Sequence, residues 1–183
     1  MILLLGIAGS GKGTQGKMLA DSRGFHLISM GDVVRMYVTG EQRERMLSGE
    51  LLNDQEIIDI VDRVLSSLKD DEEVILDGFP RTIPQAEWLT KQARAGHFKL
   101  NQAFHLVASR QAVKQRLLGR ARIDDKEAAI EKRFDEYQRS TAPLLKWLAD
   151  NGVRVIDINA ERTVEAVNDD IVSQLKPLKQ LKK

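Results

Sequence analysis

A glycine-rich segment that starts at the sixth residue constrains this chain more than any other feature of its sequence. Residues 6–15 read Gly-Ile-Ala-Gly-Ser-Gly-Lys-Gly-Thr-Gln and follow the apolar run Met1–Leu5. Glycines let the backbone curl until consecutive N–H groups point inward, and a helix starting behind them completes a concave anion site. The spacing Gly-x-x-x-x-Gly-Lys between a strand and a helix is typical of a phosphate-binding loop. Lys12 adds a positive charge for the outer phosphates.

The plain alternative for this segment is a glycine-rich turn between a core strand and a helix. So many glycines, together with a lysine in the first helical turn, are costly unless a ligand uses them, so we favour the phosphate site. One departure from the usual motif is visible. Gly13 follows the lysine where Ser or Thr is usual, and Thr14 comes one place later.

The composition fits one globular domain covering residues 1–183. A formal net charge of +1 does not favour nucleic acid as a partner, and no cysteine is present to form disulfides, thiolate metal sites or a catalytic thiol. The apolar run Ile2–Leu5 is too short for a signal peptide or a membrane span, so we expect a cytoplasmic protein without a membrane partner. We interpret the lysine-rich residues 176–183 as a solvated end.

Short apolar runs alternate with helical patterns along the chain. We predict strands at 1–5, 25–28, 74–76, 103–107 and 153–158. This alternation predicts an α/β fold, with a parallel sheet covered by helices on both faces in three α/β/α layers, of the P-loop NTPase type. Ligands of such sheets bind beyond the carboxyl ends of the strands.

Three distinctive runs each follow one of the first three predicted strands. They are the glycine loop, Ser29–Asp32 and Asp77–Arg81, and we expect them to meet at one edge of the sheet. Further along, Asp124-Asp125 is expected to cap a long helix whose core side carries apolar residues from Ile130 to Leu148.

Asp77 closes an apolar strand, where an unpaired carboxylate would be costly to bury. It is interpreted as an outer ligand that orders water around Mg²⁺ beside the phosphates, because Mg²⁺ prefers oxygen ligands and keeps its waters. A helix cap or a turn residue is the alternative, since Asp-Gly is common in turns.

Arginines are the second signal for chemistry. Those at strand–helix junctions or beside an apolar stripe are Arg35, Arg81, Arg120, Arg122 and Arg133. Taken singly, each fits a surface or ion-pair role; Arg120 and Arg122 could bind carbonyls at a helix end, and Arg133 could pair with Asp124. Arginine forks match phosphate oxygens, and the set exceeds what one nucleotide needs. The surplus predicts two phosphorylated substrates facing each other for phosphoryl transfer.

At the level of motifs, the chain resembles the adenylate kinase family almost from end to end. The segments that carry the resemblance are Gly6–Gln15, Ser29–Asp32 with Arg35, Asp77–Ala86, Arg122–Asp125 with Arg133, and Ser140–Leu144. The ten residues Asp77–Ala86 are far more specific than the phosphate loop alone. The resemblance implies an enzyme of nucleotide biosynthesis that transfers the γ-phosphate of ATP to AMP, reversibly, giving two ADP. It further implies Mg²⁺ as cofactor and a monomer.

The resemblance also implies roles for individual residues. The catalytic set is Lys12, Arg81, Arg120, Arg122 and Arg133. The expected ATP-binding residues are Gly9, Ser10, Gly11, Lys12, Gly13, Thr14, Arg116, Arg120 and Arg162. The expected AMP-binding residues are Met30, Arg35, Glu50, Leu51, Leu52, Gly78, Phe79, Pro80, Arg81, Gln85, Arg122 and Arg133. Asp77 and Thr14 would bind the metal through water, and the Gln85 amide would pair with the adenine edge of AMP.

Departures from the family pattern concern the loop, the acceptor site and the lid. Ala8 replaces the usual proline, and Met30 stands where threonine is usual, which removes a hydroxyl from the acceptor site. The acceptor-binding helical segment, about 29–58, looks trimmed between residues 36 and 53. The lid is reduced to about 119–125, where Ala121 alone separates two arginines. We hypothesise that this bare arginine connector closes over the phosphates in place of a folded lid.

Other functions were weighed against this one. A nucleoside monophosphate kinase with another acceptor, such as CMP, UMP or dAMP, is the main alternative. A nucleotide-binding regulator without turnover is a second, but a pure binder would not need five arginines. A switch-type GTPase is disfavoured because the sequence has no Asn-Lys-x-Asp motif.

Overall fold

The structure is a computed structural model that describes residues 1–48, 52–68, 73–120, 122 and 125–175. Within these ranges, five parallel strands form one sheet in the order β2-β3-β1-β4-β5. The strands are β1 (Ile2–Leu5), β2 (His26–Ser29), β3 (Val74–Asp77), β4 (Gln102–Val107) and β5 (Val155–Asn159). The predicted fold class is therefore confirmed, although β5 begins two residues later than expected.

Helices connect successive strands and cover the sheet. They are α1 (Lys12–Arg23), α2 (Met30–Tyr37), α3 (Gly40–Leu47), α4 (Asp54–Ser66), α5 (Ile83–Arg94), α6 (Arg110–Arg120), α7 (Glu127–Glu136), α8 (Ala142–Asp150) and α9 (Val164–Gln174). None of the helices in the part of the chain that the structure describes is both long and apolar enough to cross a membrane.

The central strand β1 contributes side chains to both faces of the sheet. Leu3 and Leu5 pack into one apolar cluster with residues of α4, α5 and α8, while Ile2 and Leu4 pack into another with residues of α1 and α9. This alternation follows from the two-residue period of a strand, and a strand buried on both faces must be apolar throughout. The rigid strand fixes the start of the glycine loop that follows it.

The long helix predicted after Asp124-Asp125 is wrong in its start and in its continuity. Lys126 occupies the N-cap position of α7, and the Asp125 side chain binds arginines instead, as described below; Asp124 lies outside the described residues. A π-helical turn, Tyr137–Thr141, then separates α7 from α8. Apolar periodicity alone does not reveal a π turn, because the apolar residues on either side still face one core.

His105 in β4, expected to have a packing or surface role, is buried and hydrogen-bonded at both ring nitrogens. Its Nδ1 lies 2.8 Å from Asp157 Oδ1 on β5, and its Nε2 lies 2.6 Å from the hydroxyl of Tyr137. The imidazole and phenol rings are also stacked, with centroids 6.3 Å apart. His105 thus links the sheet to the π turn.

We expect the substitution His105→Phe to lower the free energy of unfolding by about 1–3 kcal/mol, because the ring stays but both hydrogen bonds are lost. Urea denaturation would measure this change. His97→Phe, at an exposed position after α5, is the matched control and should change stability far less. Equal losses in the two variants would contradict a structural role for the His105 hydrogen bonds.

Candidate active site at the carboxyl ends of the strands

The glycine loop between β1 and α1 adopts backbone conformations that require glycine. Gly6 and Gly9 have φ values of 133° and 87°, and a Cβ built on them would lie 2.7 Å from Leu106 O and 2.8 Å from Leu117 Cγ. A side chain at either position would clash, so the loop keeps its tight curve only with glycine. The buried hydroxyl of Ser10 has no hydrogen-bond partner in the structure, as suits a loop shaped for a ligand.

Lys12, the first residue of α1, folds back over this loop. Its Nζ donates to the carbonyl oxygens of Gly6 and Ile7, both at 2.9 Å. The ammonium group is therefore held at the mouth of the anion site before any phosphate arrives. Because the lysine stem is flexible, the charge can move from these carbonyls to a bound phosphate.

Burial, partly offset by the charge of Asp77, lowers the pKa of Lys12 to about 8, and the charges of Arg81 and Arg120 add to this lowering. Above that pH the unliganded protein loses the positive charge that phosphate needs. We therefore expect kcat/KM for ATP, which reports the free enzyme, to fall as the pH rises through about 8. The variant Lys12→Arg keeps its charge, so any activity it retains should show no decline there. An unchanged profile in the wild type would contradict the assignment.

Asp77 ends β3 beside the glycine loop and is 8% exposed. A Cβ built on Gly13 would lie 3.7 Å from Asp77 Oδ2, so the loop passes directly over this carboxylate. Burial raises the pKa of Asp77, and the charges of Lys12 and Arg81 counteract part of the rise. The carboxylate thus faces the place where phosphates and their cation would lie.

Metal binding at this place would depend mainly on the nucleotide. No group of three or more His, Asp or Glu side chains that could hold a metal occurs among the described residues. A single buried carboxylate on the phosphate loop fits Mg²⁺, which keeps several waters and is bound through one or two carboxylates plus substrate phosphates. Thr14, one turn into α1, is exposed on the same side.

Asp125 organises two of the predicted catalytic arginines. Its side chain is fully buried and accepts hydrogen bonds from Arg120 Nε at 2.8 Å, Arg120 Nη2 at 2.7 Å and Arg133 Nη1 at 3.0 Å. Burial opposes the charge of Asp125, but the hydrogen bonds and charge of Arg120, with help from Arg133, hold its pKa below the usual range. The carboxylate therefore fixes two guanidinium groups at one spacing.

The remaining arginines of the predicted set lie nearby. Arg35 Nη2 lies 2.5 Å from Asp32 Oδ1, and Arg122 Nη2 lies 4.0 Å from the same oxygen. Arg81 interacts electrostatically with Asp77, Arg133 and Arg35. The structure thus brings together arginines from α2, α6, α7 and the loop after β3.

The π turn also supports this cluster. The hydroxyl of Thr141, its last residue, donates to the carbonyl oxygen of Arg81 at 3.0 Å. The Arg81 side chain itself donates from Nε to the carbonyl oxygen of Gly78 at 2.8 Å. Together these bonds define the loop after β3, where Arg81 would meet a phosphate.

The predicted donor-base side is formed by α6 and the β5–α9 connection. Arg116 Nη2 donates to the carbonyl oxygen of Ala160 at 2.7 Å, and Nη1 reaches the carbonyl oxygen of Ser10 at 3.4 Å. Arg162 pairs with Asp170. Arg116 therefore ties the phosphate loop to the segment around Arg162 in the unliganded protein.

One cavity of about 1010 Å³ joins all these parts. It is lined by nearly every predicted site residue that the structure describes: Gly9, Ser10, Gly11, Lys12, Gly13, Thr14, Met30, Arg35, Leu52, Asp77, Gly78, Pro80, Arg81, Gln85, Arg116, Arg120, Arg122, Arg133 and Arg162. Its volume is at the upper end of the range for small-molecule sites, which suits two nucleotides better than one.

Three predicted acceptor residues are not among the lining residues. Phe79, predicted to contact AMP, has a fully buried side chain that packs edge-on against Trp88 in the core, with centroids 6.1 Å apart. Its apolar ring gains more from the core than from a polar cleft, so its contribution is structural. Glu50 and Leu51 lie outside the described residues.

The sequence analysis missed the roles of three polar residues at the site. Asp125 was interpreted as a helix cap, and Asp54 only as part of a helix start, yet each binds side chains of the predicted set. Tyr137 was assigned to an apolar stripe but also lines the cavity. Each of the two aspartates lies close to a helix start, so a capping signal concealed its tertiary contacts.

The fold and site define a P-loop nucleotide-binding α/β protein with a cleft suited to phosphoryl transfer. Comparisons with known proteins identify the family. The family model described as adenylate kinase matches residues 4–153. An adenylate kinase from Phocaeicola vulgatus is 36% identical over 187 residues, covering 97% of this chain and 98% of the relative. The chain belongs to the adenylate kinase family.

Other relatives agree. An adenylate kinase from Synechococcus sp. (strain CC9902) is 34% identical over 180 residues, covering 95% of this chain and 97% of the relative. Another, from Corynebacterium urealyticum, is 34% identical over 174 residues, covering 92% of this chain and 94% of the relative. These matches extend over almost the whole of each protein, so the family resemblance predicted from the motifs is confirmed.

Proposed function

We propose that this protein transfers the γ-phosphate of ATP to AMP, forming two ADP, and catalyses the reverse reaction. The observation that carries the proposal is the single cavity of about 1010 Å³, in which a phosphate loop and five arginines face the same space. Family membership favours this reaction over the alternatives with CMP, UMP or dAMP and over a regulator without turnover.

On the donor side, the loop from Gly9 to Thr14 would hold the phosphates of ATP. Its backbone N–H groups and the start of α1 provide the concave anion site. Arg116 would lie against the donor base, beside the backbone around Arg162. Lys12 would leave the carbonyls of Gly6 and Ile7 and follow the transferred phosphoryl group.

On the acceptor side, Arg35 and Arg81 would bind the phosphate of AMP, and Gln85 would contact its base. Met30 and Leu52 are buried apolar residues that line this end of the cavity. They would pack against the purine ring, so Met30 offers apolar contact in place of a hydroxyl.

Transfer needs little covalent help from the protein. An oxygen of the AMP phosphate forms a bond to the γ-phosphorus, and the bond from that phosphorus to the β–γ bridging oxygen breaks, so that oxygen keeps the electron pair. Arg120, Arg122 and Arg133 would neutralise the charge on the equatorial oxygens, and positioning supplies the rest. Asp125 keeps two of these guanidinium groups in place.

The cofactor we propose is Mg²⁺ bound with ATP. Asp77, and Thr14 beside it, would hold its water ligands. When bound, the cation supplies charge neutralisation on the β- and γ-phosphates. Chelation of divalent cations should therefore abolish turnover while the protein remains folded.

Exclusion of water is proposed to depend on the arginine connector at about 119–125. Its described members, Arg120, Arg122 and Asp125, line the cavity or bind residues that line it, whereas Ala121, Ile123 and Asp124 lie outside the described residues. A coupled assay would compare ADP formation with ATP hydrolysis in the absence of acceptor. Rapid hydrolysis without AMP, or no transfer at all, would count against closure by this connector.

A panel of monophosphate acceptors tests the reaction itself. Purified protein would be incubated with ATP, Mg²⁺ and each of AMP, dAMP, CMP and UMP, and the diphosphate products would be measured. We expect AMP to give the highest kcat/KM. A pyrimidine acceptor that surpasses AMP would replace the proposed acceptor, and no product with any acceptor would leave only nucleotide binding.

We further propose a cytoplasmic monomer that acts on small nucleotides, not on nucleic acid or membranes. A complete cavity lined by residues of one chain supports a monomer. The near-neutral net charge of +1 supports small substrates, because nucleic-acid binding depends on a strongly basic surface.

A further inference from the structure

The side-chain amide of Gln85 is held at both of its polar atoms. Its Oε1 accepts the backbone N–H of Arg81 at 2.8 Å, and its Nε2 donates to Asp54 Oδ1 at 2.8 Å. The same carboxylate oxygen accepts the hydroxyl of Thr82 at 2.7 Å. Asp54, the first residue of α4, thereby connects this helix to the start of α5 at the predicted acceptor end of the cavity.

These partners permit only one orientation of the amide. A carboxylate oxygen only accepts hydrogen bonds, and a backbone N–H only donates them. If the Gln85 amide were flipped, its oxygen would face the Asp54 carboxylate and its NH₂ group would face the N–H of Arg81. Both hydrogen bonds would then become repulsive contacts, so Asp54 and the Arg81 backbone together set the polarity of the amide.

The amide keeps one donor and one acceptor position after these bonds. A primary amide has two N–H donors and two acceptor positions on its oxygen, and each partner uses one. Gln85 is 2% exposed, yet it lines the cavity, so the cavity is where the remaining pair can be used.

This remaining pair matches adenine in one sense only. Adenine presents an amino donor next to a ring-nitrogen acceptor, and a glutamine amide can bind both at once. A 6-oxo purine presents an acceptor where adenine has its amino donor. With the polarity fixed, that oxygen would face Oε1 of Gln85, and two acceptors would be left opposed without a proton.

We propose that Asp54 is a specificity-determining positioning residue: by fixing the orientation of the Gln85 amide, it makes the acceptor site select 6-amino purine monophosphates and reject 6-oxo purine monophosphates. The inference rests on the proposed function, since it assumes that the acceptor base lies against Gln85. Asp54 does not itself contact the substrate. Its position at a helix start would favour an acidic residue in any case, and a purely helical role predicts no effect on base selection.

The wild-type protein provides a test that needs no substitution. The acceptors are AMP, its 6-oxo analogue inosine monophosphate, and purine riboside monophosphate, which lacks any group at position 6. A fixed amide predicts that kcat/KM decreases in the order AMP, purine riboside monophosphate, inosine monophosphate. An amide free to flip would accept the 6-oxo purine about as well as AMP, and better than purine riboside monophosphate.

The variant Asp54→Asn is the second test. An asparagine amide can donate or accept, so either orientation of Gln85 would find a partner. We expect the ratio of kcat/KM for AMP to that for inosine monophosphate to fall about 10-fold or more. Thr82→Val is the matched control, because it removes the other hydrogen bond to the same Asp54 oxygen but leaves the polarity of the amide fixed. Its ratio should stay within about twofold of the wild type, beyond any loss of stability.

The outcomes separate the inference from the proposed function. If the wild type makes no ADP from ATP and AMP, the proposed function fails. If it does, but inosine monophosphate surpasses purine riboside monophosphate, the inference is overturned and the function stands. An unchanged ratio in a folded Asp54→Asn variant, or equal drops in both variants, would overturn it too. Should that variant not fold, the wild-type order decides.

Discussion

Replacing Lys12 with methionine is expected to lower kcat by about 10²-fold or more, with a much smaller effect on thermal stability. Methionine has a similar length but no charge, so the variant would lose a cation that follows the phosphoryl group in the transition state. It would also lose two hydrogen bonds to loop carbonyls, which the wild-type ammonium makes at 2.9 Å. Steady-state kinetics with saturating ATP and AMP would measure the loss, and a thermal melt would confirm folding.

The control for this experiment is Lys146→Met. Lys146 lies on α8, exposed, 2.6 Å from Asp150 in a surface ion pair, and is not among the residues that line the cavity. Surface pairs of this kind contribute little, so kcat and the melting temperature should both stay near wild-type values. Near-normal turnover in Lys12→Met would mean that the phosphoryl group does not depend on this lysine.

The substitution Asp125→Ala is expected to have the largest combined effect on activity and stability. It removes a fully buried carboxylate that accepts two hydrogen bonds from Arg120 and one from Arg133. Removing one member of such a buried charge cluster costs about 3–5 kcal/mol, because the desolvated positive charges stay behind. Displacement of the two guanidinium groups should also lower kcat by about 10²-fold. Chemical denaturation and kinetics below the unfolding transition would measure the two effects.

Asp150→Ala offers the comparison for Asp125→Ala, since it removes the acidic member of an exposed pair. It should change stability by less than about 1 kcal/mol and leave turnover unchanged. If Asp125→Ala were as stable and active as this control, the two arginines would not depend on their shared carboxylate, and the arrangement of the site would need another explanation.

Much of the fold could be predicted because its local signals agree with one another. β1 is apolar throughout, as a strand covered on both faces must be, and Gly6 follows it directly. Such a strand, loop and helix in sequence implies a parallel sheet with its ligand at the carboxyl edge. The order β2-β3-β1-β4-β5 could not be derived in this way, because strand neighbours depend on helix packing that no single segment encodes.

The site divides along a similar line. Glycines and arginines were predictable because their chemistry is visible in the residue type, and those that the structure describes in the predicted set line one cavity. Partner choice was not predictable. Arg133 was expected to pair with Asp124 but binds its neighbour Asp125, and adjacent aspartates differ only in which way the backbone turns them. The contact between Asp54 and Gln85 spans 31 residues and has no local signature.

The π turn between α7 and α8 has a consequence for which length changes this chain can tolerate. Deleting one residue from Tyr137–Thr141 would restore a regular α-helix there but rotate everything beyond it by about 100°. Leu144 and Leu148 would then swing out of the apolar cluster that buries them. Amino-acid replacements in this turn are therefore compatible with the fold, whereas a single-residue insertion or deletion is not.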